Sequence, residues 1–184
     1  LVCAAARETF EECGVLLAGA TPDSIVADTA PFAAERGRLE RREVSFAEFL
    51  TAHDLVLRSD LLRPWSHWIT PVGEARRYDT RFFVAVLPEG QNADGETSEA
   101  ASVSWRSTGD ALADWRSGNT ILLPPTWSQL DALSRFDTVA QVVDHDREIA
   151  PVLPILTRTD GTVRVLFDGD DAYYAGTRHP WSDR

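Results

Sequence analysis

Lysine is absent from this sequence: its 18 basic side chains are all arginine. A Schiff-base lysine and a phosphate loop of the GK[S/T] type are thereby excluded within these residues, whereas arginine can grip phosphate through its planar fork. Methionine is absent too, and the chain starts abruptly at Leu1, so a missing N-terminal portion is expected. Cysteine is scarce. Cys3 and Cys13 fall in one expected helix, where ten residues rise about 15 Å, too far for an internal disulfide. Two cysteines make no metal cluster, and buried thiols in a reducing compartment are expected. No apolar run approaches the roughly 20 residues of a spanning helix, and no basic-then-apolar leader is present. A cytoplasmic location is the expectation.

Acid is in excess, with 29 Asp and Glu against 18 Arg and a formal charge of -11. Such a balance disfavours nonspecific attraction to nucleic acid or to an anionic membrane. The partner expected is a phosphorylated small molecule held by local arginines, with a homodimer left open. The 43% hydrophobic and 26% charged composition is that of a folded chain, and its length suits one domain.

Periodicity and punctuation outline a mixed α/β domain over 1–184, with a helical insertion over about 20–62. A helix over 1–13 should stop at Gly14, and Val15 to Leu17 should form a short strand or turn. Ala20 to Arg42 reads as solvent-facing helical pieces. Ser45 and Glu48 have capping-box spacing for a helix to about Ala52. Strands are expected at Trp65 to Thr70, at Phe82 to Leu87 and at Val103 to Trp105. Helices are expected from Thr108 to Trp115, from Thr126 onward, and within Asp137 to Ile149. Two apolar runs, Pro151 to Arg158 and Thr162 to Phe167, suggest a hairpin through 159–161. The tail from Gly169 reads as irregular.

The segment Arg7-Glu8-Thr9-Phe10-Glu11-Glu12-Cys13-Gly14-Val15 carries the chemistry. In a helix, Glu8, Glu11 and Glu12 are three and four residues apart and share one face, opposite Val2, Ala6, Phe10 and Cys13. Clustered carboxylates repel one another, and a divalent cation relieves that repulsion. Hard oxygen donors suit Mg²⁺ or Mn²⁺, which can neutralise a phosphoryl group and acidify water. Glu11 and Glu12 are the stronger ligand candidates; Glu8 is the candidate to order or deprotonate the attacking water, or to help hold a second metal. Arg7 and Glu11 can pair at i,i+4. The plainer alternative is a solvated Arg/Glu helix.

At the required spacing, Arg7-Glu8, Glu11-Glu12 and Gly14-Val15 match the second half of the Nudix box, so the chain resembles the Nudix hydrolases. Thr9 departs mildly from the box, and the front half of the box would lie before Leu1. The stretches Trp68-Ile69-Thr70-Pro71, Arg77 to Phe83 and Leu123 to Trp127 look like the branch of mammalian peroxisomal coenzyme A diphosphatase and its bacterial relatives. The resemblance implies an α/β/α sandwich with a mixed central sheet and a metal-dependent site in which Glu8, Glu11 and Glu12 are the matching carboxylates. It also implies cleavage of CoA or acyl-CoA to a phosphopantetheine product and 3',5'-ADP. A nucleotide-sugar or dinucleotide diphosphatase, or a catalytically inactive binding module on the same fold, stands as the alternative.

Other residues are weighed on their chemistry. Arg77 and Arg81 can clamp substrate phosphates, although Asp79 can tie down one of them. Among Asp94, Glu96 and Glu99, the last is the preferred additional metal ligand, with loop solvation as its alternative. Leu123 to Trp127 can form a rigid lip, or Trp127 can simply pack into the core. The four histidines show no close metal-ligand spacing, and no serine triad is marked.

Overall fold

The computed structural model describes residues 1–95, 103–159 and 162–176. The chain forms two compact units, one of 1–63 and 83–104, the other of 64–82 and 105–184. Among the described residues, no helix is long and apolar enough to cross a membrane.

The first unit is organised on helix α1, Val2–Cys13, whose Ala6 and Phe10 are buried at i,i+4 spacing. Gly14 ends it in the left-handed conformation at φ 72°, its N–H donating to the Phe10 carbonyl at 3.0 Å. Val15, Leu16 and Leu17 then run through the core without joining a sheet. Strand β1 (Ala18–Gly19) starts one residue later and pairs antiparallel with β2 (Val56–Leu57). Between them lie α2 (Ala33–Glu40), led in by a 3-10 turn at Ala30–Phe32, and α3 (Phe46–Ala52). Ser45 and Glu48 form the expected capping box on α3. Phe49 of α3 stacks on Phe10 at 5.4 Å between ring centroids, which locks α3 to the acidic helix.

The second unit contains most of β3 (Arg63–Ile69), which lies between β4 (Asp79–Val84) and β5 (Pro151–Val152) in one sheet. β3 and β5 run parallel, His67 facing Pro151 and Trp68 facing Val152. β6 (Ile155–Thr159) and β7 (Thr162–Leu166) are antiparallel, as the hairpin reading expected; Asp160 and Gly161 lie outside the described residues. Helices α4 (Thr108–Arg116), α5 (Pro124–Leu133), α6 (Val139–Asp144) and α7 (Asp170–Tyr174) complete this unit. Its core is aromatic: Trp115 stacks on Tyr173 at 5.6 Å, and Trp127 meets both.

Several boundaries differ from the sequence expectation. β4 stops at Val84, and it begins as early as Asp79 because the chain is already tied to the end of β3 at the Thr70 N–H, which donates to the Tyr78 carbonyl at 2.9 Å. Val103 to Trp105 is not a strand, and Trp105 is 74% exposed. Proline at the first position, with its fixed φ, starts α5 two residues before Thr126. The tail holds α7, because Tyr173 buries its ring completely; 177–184 lie outside the described residues. Cys3 is exposed and Cys13 partly buried, so the expectation of two buried thiols holds for neither. Burial pushes the Cys13 thiol up from its ordinary pKa.

Candidate active site

Helix α1 places its three carboxylates in different surroundings. Glu8 and Glu12 are exposed, while Glu11 is buried, leaving only 8% of its surface accessible. Glu11 Oε2 accepts from Arg7 Nη1 at 2.6 Å, the i,i+4 pair expected from the sequence, and Arg7 also bonds Glu8. Glu11 Oε1, also buried, has no hydrogen-bond partner among the described residues. A buried carboxylate oxygen with no donor is costly, and one of the few native explanations is a ligand or ion that completes it. The donor type fits Mg²⁺ or Mn²⁺: hard carboxylate oxygens repeated along one helix face. Among the described residues, no group of three or more His, Cys, Asp or Glu side chains is gathered as a metal cage. Glu96 and Glu99, the latter preferred as an additional ligand, lie outside the described residues.

Behind the acidic face stands a buried guanidinium that the sequence did not single out. Arg36 of α2 is 7% exposed; its Nε donates to the Glu11 carbonyl at 3.0 Å, and its Nη1 donates to Asp94 Oδ1 at 2.7 Å and Oδ2 at 2.9 Å. The Asp94 N–H in turn donates to the Cys13 carbonyl at 3.0 Å. Two carbonyls in the last turn of α1 are thus satisfied from outside the helix, where a cation is also favoured by the helix dipole. The side chain of Gln91 fastens the same loop, bonding both the N–H and the carbonyl of Leu16 at 2.9 Å.

This packing gives the signature glycine a second role. A Cβ on Gly14 would lie 2.8 Å from Arg36 Nη1 and 2.9 Å from Asp94 Oδ2, in addition to the strain of its positive φ. The helix holding Arg36 was expected to face solvent. Instead, Phe32, Arg36 and Leu39 follow i, i+4, i+7 spacing, and Arg36 and Leu39 are both buried. That spacing was the available signal; an Arg in an Arg/Glu-rich stretch masked it.

The expected phosphate clamp residues belong to the second unit. Arg77 precedes β4 and donates from Nε to the Thr70 carbonyl at 3.0 Å. Arg81 lies in β4, with its Nε 3.3 Å from Asp79 Oδ1. Asp79 also accepts from His67 Nε2 at 2.6 Å, and that bond, then Arg81, holds its carboxyl below the usual carboxylate range. His67 is therefore a buried partner of Asp79, not an isolated surface histidine. Trp127 is buried in the aromatic core, while Leu123, Pro124, Pro125 and Thr126 line a cavity of about 410 Å³. The lip and the core reading each describe part of this segment.

Residues 1–135 match the family model described as the NUDT19 Nudix domain. The chain is 32% identical over 197 residues to the acyl-coenzyme A diphosphatase NUDT19 of Gallus gallus, covering 94% of this chain and 51% of that protein. It is 30% identical over 189 residues to the Homo sapiens protein of the same name, covering 94% of this chain and 50% of that protein. The chain thus spans about half the length of the curated relatives it matches. The crystal structure of a NUDIX hydrolase from Alicyclobacillus acidocaldarius superimposes with a TM-score of 0.64 at 24% identity, covering 76% of this chain and 63% of that one. That likeness shows the fold: α/β, with helices and a mixed central sheet, consistent with the Nudix-type α/β/α sandwich. By its family match and its relatives, this chain belongs to the Nudix hydrolase family, on the branch of NUDT19.

Proposed function

We propose that this protein hydrolyses a diphosphate linkage with Mg²⁺ or Mn²⁺, and that its substrate is CoA or an acyl-CoA, cleaved to a phosphopantetheine product and 3',5'-ADP. The observation that carries the reading is the unpartnered, buried Oε1 of Glu11 on a helix matching the second half of the Nudix box. The names of the relatives, acyl-coenzyme A diphosphatases, support the choice of substrate.

In this reading Glu11 and Glu12 hold the cation, and Arg36 fixes the backbone of Glu11 from behind. A divalent cation, when bound, supplies positive charge at the phosphoryl oxygens and lowers the pKa of a water. Exposed Glu8 accepts a proton from the attacking water as its oxygen bonds to phosphorus and the bridging P–O bond breaks. Within the second unit, Arg77 and Arg81 offer phosphate the guanidinium nitrogens other than the Nε atoms engaged by Thr70 and Asp79.

At saturating Mg²⁺, Glu8→Gln is expected to lower kcat by about 10²–10⁴-fold, the usual weight of a general base. Glu12→Gln should lose far more activity than the exposed control Glu89→Gln, with the fold preserved by circular dichroism. Equal activity of Glu12→Gln and parent would sink the ligand role. Mass spectrometry after incubation with CoA, acyl-CoA, NADH, ADP-ribose and nucleotide sugars tests the substrate; no 3',5'-ADP from CoA rejects the CoA assignment. One observation favours a second reading, binding without turnover: Arg7 already engages both Glu8 and Glu11. Retention of a substrate with no cleavage of any in the panel would select it.

A further inference from the structure

We infer that the 410 Å³ cavity of the second unit is a binding site for the linear acyl chain of the substrate, a proposal that rests on the diphosphatase reading above. The volume lies within the range of small-molecule pockets. Its walls exclude the polar half of such a substrate. Pro71, Pro124, Pro125 and Pro154 all line it, and a proline offers no N–H donor and holds its φ fixed, so this wall is rigid and donor-poor. Trp68 and Val165 line it as buried apolar side chains, so a hydrocarbon finds dispersion partners there.

The polar groups that line the cavity are few and wrong for phosphate. Thr70 is occupied by the hairpin: its Oγ1 accepts from the Tyr78 N–H at 2.9 Å. No arginine lines the cavity, and Glu74 does. Arg76 lies over the Tyr78 ring at 5.2 Å and Arg77 donates to the Thr70 carbonyl, so the charge beside the cavity is mixed, and its apolar lining is what selects the neutral end of CoA. An adenine ring would need donors and acceptors at its edges, and the four prolines supply no donors, which leaves chiefly the hydroxyls of Tyr78, Thr80 and Thr126 beside the occupied Thr70. At the mouth, Leu123 is 53% and Tyr78 54% exposed, apolar surface that an acyl chain would remove from water.

The test separates the chain from the chemistry. Octanoyl-pantetheine carries the chain without any phosphate, and its binding to the full-length protein can be followed by isothermal titration. Thr126, exposed at the cavity in the first turns of α5, is changed to Trp to fill the space and to Glu to place a charge there. An acid near a helix N-terminus is favoured by the dipole, so Thr126→Glu keeps the fold even if the bulky variant does not. Parent should bind octanoyl-pantetheine, and both folded variants should bind it at least about tenfold more weakly. In turnover, parent kcat/KM should climb with acyl length by up to about fourfold per buried methylene, and the climb should flatten in the variants.

Absence of octanoyl-pantetheine binding to the parent, or equal binding to parent and Thr126→Glu, overturns the inference. So does a flat chain-length profile in a parent that cleaves CoA, and that result leaves the diphosphatase reading intact. Tight binding of adenosine 3',5'-bisphosphate that octanoyl-pantetheine fails to displace, but Thr126→Glu abolishes, would assign the cavity to the nucleotide instead. A parent that cleaves no CoA substrate defeats the CoA assignment, and the titration alone then decides the cavity.

Discussion

The two units bury different things. In the first, an aliphatic and phenylalanine core surrounds charged and amide groups: Glu11, Arg36 and Gln91 are all buried beside Leu16, Leu17 and Phe49. In the second, the interior is made of rings, with Trp115, Trp127 and Tyr173 in mutual contact. Both contain buried polar atoms without partners among the described residues, but of unequal cost. The second has indole N–H groups at Trp65, Trp115 and Trp127; the first has a carboxylate oxygen at Glu11 and Arg36 Nη2. A neutral N–H left unsatisfied costs a modest amount, whereas an unsatisfied atom of a charged group costs more, even where another atom of that group is ion-paired. The first unit thus buries charged groups at the greater expense, and the second packs rings.

The largest expected effect tests whether the units are energetically separate. Trp115→Ala removes a fully buried ring at the centre of the aromatic core and should cost about 3–5 kcal/mol. Hydrogen exchange is expected to accelerate in α4, α5 and α7 while α1 stays protected. Equal loss of protection in α1 would show a single cooperative unit and break the comparison. Next in size, Arg36→Leu should cost about 2–4 kcal/mol, since it removes the side-chain donor to the Glu11 carbonyl and the buried half of the ion pair with Asp94. Its loss of protection should centre on 14–17 and 91–94, the backbone that Arg36, Asp94 and Gln91 fasten.

The contrast also governs what was legible in the sequence. The acidic helix, its glycine stop and the α3 capping box were readable because each is a pattern within fifteen residues of chain, fixed by helical geometry. The antiparallel pairing of β6 with β7 was readable for the same reason. From the sequence, Asp94 reads only as a candidate metal ligand; its pairing with Arg36 was not readable, because the two are 58 residues apart and an arginine looks the same whether it is solvated or holding a backbone carbonyl. His67 was set aside for want of a metal spacing, while its partner Asp79 stood across a hairpin. The cavity was foreshadowed only at Leu123 to Thr126; its other walls come from four strands, the turn between β3 and β4, and Pro154. Burial of Glu11 was the least legible of all, since helix spacing places a side chain on a face without saying what covers that face.

Gly14→Ala sharpens the first half of the comparison. A residue with a Cβ at φ 72° carries about 1–3 kcal/mol of strain. Here that Cβ also presses on Arg36 and Asp94. If the ion pair matters to α1, Gly14→Ala in an Arg36→Leu background should cost measurably less than in the parent, because the crowded guanidinium is gone. Additive losses in thermal unfolding would mean that only backbone strain operates at this glycine.

The smallest expected effect lies in the second unit and depends on pH. Asp79 has its carboxyl lowered first by the hydrogen bond from His67 and then by Arg81. A carboxyl with a folded pKa below its unfolded value, about 3.9 for Asp, binds fewer protons in the folded state than in the unfolded state within that window. Its stabilisation is therefore complete above the unfolded pKa and is lost as pH falls through the folded one. Asp79→Asn removes this dependence. The stability gap between parent and variant should stay level from neutral pH down to about pH 5, then close as acid protonates Asp79 in the parent. Urea unfolding across that range, followed by tryptophan fluorescence, measures it. A gap that instead widened toward low pH would mean that the His67 hydrogen bond does not favour the ionised carboxylate, and the second unit's clearest charged contact would lose its electrostatic meaning.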